Sequence, residues 1–340
     1  MRLQMGITAK ELAQKLNISA TAVSMALNNK AGVSTETRKY ILEEAKKYGY
    51  DFSKISMKRK KEGDIYYIIY RKHNAILKYT PIFSELTDGI AEACRENGYR
   101  LKTLQIYEKT DDVEKDMEDL RVTGCVGIIL LGTEITDSIC KSFLKLSIPM
   151  VLLDTYFDSV ECSSVLINNV QGAYMATNYL IDRCNNKQPG HIRSSYSIPN
   201  FVERKNGFTK AIKEHGMSVS KSIIHEVSPS IDGAFSDMLE IIDQGDELAS
   251  CYFADNDLIA IGAIKALTLR GYKIPNDIKI VGFDNISEAK IISPSLTTID
   301  INRTFMGKMA ATQLISQVNS PIPQTLKIGI STRLVKRFST

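Results

Sequence analysis

The sequence contains no tryptophan, only four histidines, and no pair of cysteines at C-x-x-C spacing. The six cysteines are scattered, and none stands with a histidine at a spacing typical of a metal site. We therefore expect no metal, no cofactor and no disulfide, with every cysteine reduced and buried or half-buried, as in a cytoplasmic protein. The six are Cys94, Cys125, Cys140, Cys162, Cys184 and Cys251.

Long apolar segments are also missing. No apolar run approaches the roughly 18 residues that a membrane-spanning helix needs, and the first residues, MRLQMGITAKEL, lack the apolar centre of a signal peptide. We therefore expect a cytoplasmic location. The length of 340 residues predicts two or three domains, and 44% hydrophobic with 24% charged residues is typical of a globular chain.

Positive charge is concentrated at one end of the chain. Residues 1–62 contain 13 Lys and Arg against 6 Asp and Glu, a net charge of +7, whereas the rest carries 30 against 33, a net charge of −3. A basic head on a slightly acidic body indicates a module that binds a polyanion, attached to something else. The alternative, a solvated charged surface, is weakened because the excess coincides with the helix pair described next.

Two short helices with a tight corner are predicted between Thr8 and Asn28. Thr8 and Glu11 form a T-x-x-E capping box at the first helix start. Asn17 suits the positive φ of the corner, and Ser19 can cap the second helix. This is a helix-turn-helix pattern, whose second helix can enter a DNA major groove. At this stage an ordinary amphipathic helix pair explains the pattern equally well.

A third helix and a linker complete the predicted headpiece. Ser34 caps the third helix and Gly49 ends it. The segment 51–63 is basic, lacks an apolar stripe and reads as a linker. The inner face of the third helix is predicted to consist of Ile41, Leu42, Ala45 and Tyr48.

From Asp64 onward, short apolar runs alternate with helical patterns in two successive series. Alternation of this kind predicts parallel sheets with helices on both faces. The predicted fold class is therefore α/β: a small all-α headpiece followed by a two-lobed core of two doubly wound parallel sheets. Ligands in such sheets bind beyond the carboxyl ends of the strands, so two facing lobes predict a cleft.

Three ordered segments resemble the lactose-repressor (LacI) family of bacterial transcription regulators. The headpiece run is ELAQKLNISATAVSMALNNKAGVSTETRKYILEEAKKYGY, the core run is FADNDLIAIGAIKALTLRGYKIPNDIKIVGFDNISEAKIISPSLTTI, and the last is STRLVKRFST. The resemblance covers nearly the whole chain. It implies a helix-turn-helix headpiece, a hinge, and a core like a periplasmic sugar-binding protein in which the chain crosses between the lobes three times.

The resemblance also implies domain boundaries. The headpiece is expected at residues 1–50, the hinge at 51–63 and the effector-binding core at 64–340. Within the core, the N-lobe is expected at about 64–163 and 298–323. The C-lobe is expected at about 164–297 and 324–340.

Two departures from the family pattern affect the expected DNA contacts. Met25 stands where the family usually has an Arg that reaches guanine, and Met can only touch apolar groups such as a thymine methyl. The alternative is that Met25 is partly buried and makes no contact with DNA. Arg59 stands where a Leu usually enters the minor groove, so the hinge is either an ordered helix or a flexible basic tether. The expected DNA-binding residues are Thr8, Ser19, Ala20, Thr21, Ser24, Met25, Asn28, Thr37, Tyr50, Ser53, Met57 and Arg59.

Polar residues just past strands, or at helix starts, occupy the family's effector positions. Carboxylates, amides and a guanidinium together can pair with several hydroxyls, which suits a sugar or similar polyol. Asp255 is expected to be structural and Asp257 to cap its helix. The segment 228–231 offers no aromatic platform for a sugar. The expected effector-binding residues are Ile82, Phe83, Leu86, Asp154, Asn200, Arg204, Asn256 and Asp284.

Three functions compete at this stage. The first is a repressor that binds a palindromic operator as a homodimer and responds to a sugar or sugar derivative. The second is a sugar-processing enzyme with Asp154 and Asp284 as paired carboxylates. The third is a solute-binding protein that uses the same cleft. The basic headpiece and the missing signal peptide favour the repressor.

Overall fold

The computed structural model describes residues 7–27, 33–52, 63–72, 82–320 and 324–340. It divides the chain into two units, Met1–Glu62 and Gly63–Thr340. Several residues expected in the DNA and effector sites lie outside the described part of the chain. They are Asn28, Ser53, Met57 and Arg59, together with the side chains of Ile82 and Phe83.

The first unit contains three helices, α1 (Ala9–Leu16), α2 (Ala20–Leu27) and α3 (Thr35–Lys47). The predicted capping box is present: Glu11 Oε2 accepts a hydrogen bond from Thr8 N at 2.7 Å. Asn17 adopts the left-handed conformation, with φ +53°, at the corner. Each of these local predictions is confirmed.

The three helices share a small apolar core. Leu12, Val23, Ile41 and Ala45 are fully buried in it, which fixes the relative placement of the helices. The prediction that Tyr48 faces inward is wrong. Tyr48 is 38% exposed, because it follows the last helical turn, where its ring lies 4.5 Å from Lys15 Nζ in a cation–π contact.

The second unit contains two six-stranded sheets. The first has the strand order β11-β5-β4-β3-β1-β2 and is entirely parallel. Near-continuous apolar runs such as IYYIIY form its central strands, as expected for strands buried on both faces. Its strands are β1 (Asp64–Arg71), β2 (Arg100–Tyr107), β3 (Cys125–Leu131), β4 (Met150–Leu153), β5 (Ser163–Ile167) and β11 (Lys327–Ile330).

The second sheet has the order β12-β10-β9-β8-β6-β7, and only the β10–β12 pair is antiparallel. Two doubly wound sheets agree with the predicted fold class. The strands are β6 (Gly190–Ser194), β7 (Ile224–Val227), β8 (Cys251–Ala254), β9 (Lys279–Asp284), β10 (Thr297–Asp300) and β12 (Arg333–Val335).

Nine α-helices of the described core connect and cover these strands. They are α4 (Ile82–Glu96), α5 (Val113–Val122), α6 (Asp137–Leu144), α7 (Asn169–Arg183), α8 (Pro199–Glu214), α9 (Ile231–Asp243), α10 (Asp257–Leu269), α11 (Glu288–Ile291) and α12 (Arg303–Asn319).

The chain passes between the two sheets three times, but later than the expected lobe boundaries. Strand β5 belongs to the first sheet, so the first crossing follows Ile167 rather than residue 163. Strand β10 belongs to the second sheet, so the return follows Asp300 rather than residue 297. The last crossing follows Ile330, well after residue 324. The approximate boundaries expected from the sequence therefore lie three to seven residues too early, because pairing between distant strands, and not local sequence, decides which sheet a strand joins.

Helices α4 and α12 pack closely on the first sheet. A Cβ on Gly89 would strike the backbone oxygen of Thr304, and one on Gly307 would strike that of Leu86. The two glycines therefore allow a backbone-to-backbone approach that a larger residue would prevent. Leu86 is 1% exposed in this contact and belongs to the apolar core.

The six cysteines are buried or half-buried, as predicted, and all six are free in the structure. Across the described ranges, no helix is both long and apolar enough to cross a bilayer. The same part of the chain contains no group of three or more His, Cys, Asp or Glu side chains placed to hold a metal ion.

Candidate functional site

Four of the expected effector-binding residues meet where strands of the two lobes end. Asp154 follows β4 of the first lobe, Asp284 ends β9 of the second lobe, and Asn200 and Arg204 lie in the first turns of α8. All four are at least 90% buried. Asp154 and Asp284 have positive φ values of 69° and 112°. Non-glycine residues in such conformations cluster at functional sites.

The guanidinium of Arg204 is fixed by three different groups. Its Nη2 donates to Asp284 Oδ1 at 3.2 Å, its Nε donates to Asn169 Oδ1 at 3.0 Å, and its Nη1 donates to the backbone oxygen of Asp255. The cation also lies 3.7 Å from the ring centroid of Phe283. Arg204 is therefore held in one orientation before any ligand is present.

Asp154 has one satisfied and one unsatisfied oxygen. Thr133 Oγ1 donates to Asp154 Oδ2 at 2.6 Å, whereas the buried Oδ1 has no hydrogen-bond partner among the described residues. Burial raises the pKa of Asp154 to about 6, although the Thr133 hydrogen bond, the charge of Arg204 and the nearby Asn200 amide oppose the rise. A buried, unpaired acceptor costs free energy, so this oxygen is suited to accept a hydrogen bond from a ligand hydroxyl.

Arg303, which the sequence did not single out, joins the two lobes at this site. Its side chain is 5% exposed. Nη2 donates to the backbone oxygen of Asp284 in the C-lobe, and Nη1 lies 3.5 Å from Glu85 Oε2 of α4 in the N-lobe. The Arg303 Nε is buried, and no described residue accepts a hydrogen bond from it. The sequence did contain one signal for Arg303. The residue lies in the first turn of α12, where its positive charge opposes the helix dipole, so another interaction must favour a cation there.

Two more buried hydroxyls near the site were missed by sequence reasoning. Tyr67 OH and Thr155 Oγ1 have no partner in the described structure. Burial raises the pKa of Tyr67, and the negative charge of Asp154 raises it further. The Tyr67 hydroxyl is therefore close enough to Asp154 to feel its charge. Tyr67 lies within the apolar run of β1, so the sequence around it predicts only a buried strand and not a binding residue.

Asn256 takes the capping role that was expected of Asp257, and Asp257 has a structural role instead. Asn256 is the N-cap of α10, and its Oδ1 accepts from Ile259 N at 2.9 Å. Asp257 does not cap the helix; its Oδ2 accepts from Ile286 N at 3.0 Å, and its Oδ1 accepts from Thr298 Oγ1. The prediction of an Asp257 cap is therefore wrong by one residue, because both side chains are good caps and only backbone geometry chooses between them.

Asp255 is structural, as predicted, and Leu86 is placed in the core rather than on a cleft surface. Asp255 Oδ1 lies 2.8 Å from His191 Nε2, and Oδ2 accepts from Ser194 N at 2.9 Å. These contacts connect the end of β8 to β6, next to Arg204, which donates to the backbone oxygen of Asp255.

The headpiece presents a separate candidate surface. Thr8, Ser19, Ala20, Thr21 and Ser24 are exposed. Ser19 also caps α2, since its Oγ accepts from Ala22 N at 3.1 Å. Small exposed side chains on this helix would let its backbone approach a duplex closely.

The remaining expected DNA contacts within the described headpiece are half-buried. Met25, Thr37 and Tyr50 belong to this class. The ring of Tyr50 also packs edge-on against Phe52 at 5.4 Å between centroids. Part of Met25 is therefore accessible, and both the apolar base contact and the partly buried, silent position remain open.

A helix-turn-helix headpiece followed by a two-lobed ligand-binding core defines a class of regulators. The family described as "Periplasmic binding proteins and sugar binding domain of LacI family" matches residues 67–337. The chain therefore belongs to the LacI family of ligand-controlled transcriptional repressors.

Similar proteins agree with this assignment. The chain is 29% identical over 335 residues to the HTH-type transcriptional repressor PurR of Pasteurella multocida, covering 98% of both chains. It is 28% identical over 314 residues to PurR of Glaesserella parasuis, covering 92% of this chain and 90% of that protein. These relatives are repressors, and the enzyme alternative built on Asp154 and Asp284 is set aside.

Solved structures share the fold. The transcriptional regulator CelR in complex with cellobiose has a TM-score of 0.74 at 21% identity, covering 98% of this chain and 100% of that chain. The lac repressor dimer bound to operator and the anti-inducer ONPF has a TM-score of 0.70 at 18% identity, covering 98% and 99%. At these identities the similarity concerns the fold alone.

Proposed function

We propose that this chain represses transcription as a cytoplasmic homodimer on a palindromic DNA operator, and that a sugar or sugar derivative bound between its lobes controls it. The observation that carries the effector part is the cluster of Asp154, Arg204, Asp284 and Arg303. It combines a fixed guanidinium with one buried acceptor, Asp154 Oδ1, and one buried donor, Arg303 Nε, that have no partner in the described structure.

The charges of this cluster suit a neutral polyol. Two carboxylates and two guanidiniums nearly cancel, so a strongly charged ligand would gain little. Carboxylate oxygens accept from hydroxyls and guanidinium N–H groups donate to them, so together they can read the pattern of hydroxyls around a ring. Asn200 adds an amide that can do both. Solved structures with bound sugars support this class: CelR with cellobiose, and a LacI family regulator from Enterococcus faecium with ribose.

Arg303 provides a route from the ligand to the relative placement of the lobes. It lies directly after the second crossing and contacts Asp284 in one lobe and Glu85 in the other. A ligand hydroxyl that accepts from Arg303 Nε would therefore favour one lobe arrangement over another. A ligand shifts such an equilibrium only by its difference in affinity for the two states.

The headpiece supports the DNA part of the proposal. Helix α2 is the element that enters the major groove in a helix-turn-helix, with Thr21, Ser24 and Met25 as its base-reading side chains and Thr8, Ser19, Ala20, Thr37 and Tyr50 near the backbone. Because one headpiece reads a half-site, two copies are needed for a palindrome. Contacts by Asn28, Ser53, Met57 and Arg59 stay predictions.

A thermal-shift screen tests the effector site. Ribose, glucose, galactose, cellobiose and their phosphates would be added to the full chain and to four variants. A stabilising sugar is expected to lose its effect in Arg204→Ala and Asp284→Asn. It is expected to keep its effect in the matched exposed controls Arg183→Ala and Asp232→Asn. Equal stabilisation of all four variants would contradict the assignment of the site.

A further inference from the structure

A pocket of about 210 Å³ opens beside the effector cluster, between the end of β6 and the first turns of α8. We propose that this pocket is a subsite for the second ring of a neutral disaccharide whose first ring occupies the cluster of Asp154, Arg204 and Asp284. The proposal rests on the sugar effector proposed above. Ligand pockets for drug-sized molecules run at roughly 300–1,000 Å³, so this smaller space suits a single ring.

The pocket and the effector cluster share a wall. Asp255 lines the pocket and gives its backbone oxygen to Arg204 Nη1. Phe201 also lines the pocket, and its ring centroid lies 5.5 Å from the Arg204 guanidinium. A ligand that contacts Arg204 would therefore have the pocket directly beside it.

The loop that forms the pocket is preorganised. Ser194 N donates to Asp255 Oδ2 at 2.9 Å, and Ser195 N donates to the backbone oxygen of Val227 at 2.8 Å. Ser194 Oγ also donates to the backbone oxygen of Tyr196 at 2.9 Å. These contacts hold the loop in place before binding, which reduces the entropy that a ligand must overcome.

The loop carries the apolar surface that the segment 228–231 lacks. Tyr196 is 45% exposed and Val202 is 48% exposed, whereas Phe201 is buried below them against Ile198. Large exposed side chains at a pocket mouth are suited to cover the apolar face of a ring while polar groups around them bind its edge.

The polar lining favours a neutral partner over an anion. Arg193 and Lys205 are balanced by Glu226 and Asp255, so the formal charge of the lining is zero. Arg193 Nη2 lies 2.6 Å from Glu226 Oε1, and the buried Arg193 Nε has no acceptor among the described residues. Arg193 can donate hydrogen bonds, Glu226 can accept them, and the serine hydroxyls around them can do both. This combination suits sugar hydroxyls, each of which donates and accepts hydrogen bonds.

Calorimetric titration of the full chain tests the subsite. The probes are glucose, galactose and ribose, and the disaccharides cellobiose, maltose and lactose. At least one disaccharide is expected to bind tenfold or more tightly than its constituent monosaccharide. Tyr196→Ala is expected to remove that advantage and to change the monosaccharide affinity less than twofold. The exposed control Leu269→Ala is expected to change neither affinity.

Several results separate the failure of the subsite from the failure of the effector cluster. Loss of all binding in Arg204→Ala, with no selective effect of Tyr196→Ala, would uphold the cluster and overturn the subsite. Disaccharide binding that survives Arg204→Ala would contradict both the cluster and the placement of the second ring beside it. Selective binding of glucose 6-phosphate that Lys205→Ala removes would identify an anion site, and the disaccharide proposal would then be wrong. No binding of any probe would also overturn it.

Discussion

Arg204 Nη2 lies 3.2 Å from Asp284 Oδ1, and the two side chains are only 4% and 7% exposed. The pair connects the start of α8 to the end of β9 within one lobe. Removing one partner of a buried ion pair leaves an uncompensated charge, which costs more than the intact pair contributes. The pair is therefore both a structural element and the fixed part of the proposed effector site.

Arg204→Ala is expected to lower the free energy of unfolding of the core by about 3–5 kcal/mol, because Asp284 would stay buried with only the more distant Arg303 beside it, 3.9 Å from Nη2 to Oδ1. Urea unfolding followed by circular dichroism would measure the loss. The exposed Arg183→Ala serves as the control and should change stability by less than about 0.5 kcal/mol. The double variant Arg204→Ala with Asp284→Ala should recover part of the loss; an additive loss would show that the two residues do not interact.

Asp154 should make stability depend on pH. Its pKa of about 6 in the folded chain lies above the unfolded value, so its contribution is most favourable below about pH 4 and is lost as the pH rises through 6. Asp154→Asn mimics the protonated form and should stabilise the ligand-free protein by about 2–3 kcal/mol at pH 7.5. The gain should shrink to nearly zero at pH 4.

Urea titrations of both proteins at several pH values would measure this difference. A gain that stays constant from pH 4 to pH 7.5 would show that Asp154 is already charged at low pH. The same substitution should weaken sugar binding at pH 7.5, since it replaces one acceptor oxygen with a donor.

Gly89→Ala should destabilise the core, because its new Cβ would strike the backbone oxygen of Thr304 in α12. Overpacking of this kind typically costs about 1–3 kcal/mol. Differential scanning calorimetry would show the loss as a lower Tm. Gly329→Ala is the matched control, since a Cβ there meets no atom within 4 Å. A Tm of Gly89→Ala equal to that of the control would contradict the close approach of α4 and α12.

Met25→Arg should give the recognition helix a preference for guanine that the present residue does not supply. An Arg at this position can donate two hydrogen bonds to guanine, and one such pair is worth about 1–3 kcal/mol of discrimination. Selection of duplexes from a random library by both proteins, followed by sequencing, would measure the change. Identical selected sites would show that position 25 does not face a base edge.

Local signals in the sequence predicted most of the elements. The capping box at Thr8, the corner at Asn17 and the cap at Ser19 depend on neighbours within a few residues, so they are visible without a fold. The lobe boundaries depend on pairing between distant strands. The run around Val165 is equally apolar whichever sheet it joins.

The proposed effector site was partly predictable for the same reason. Asp154, Arg204 and Asp284 follow strands or begin helices, where the fold places binding groups. Arg303 and Tyr67 reach the site through long-range packing, and their local patterns indicate only a helix start and a buried strand. Tyr196 was missed because its loop has no periodic pattern.

Fluorescence anisotropy of a labelled palindromic duplex, selected from a random library by the full chain, tests the central claim most directly. The wild type should bind it with an affinity that falls steeply with salt, and a stabilising sugar should change that affinity at least tenfold. Arg204→Ala should retain DNA binding and lose the response to sugar, whereas Arg183→Ala should retain both. An affinity for DNA that no stabilising sugar changes, in any of the three proteins, would contradict the coupling of a DNA-binding headpiece to a sugar-binding core.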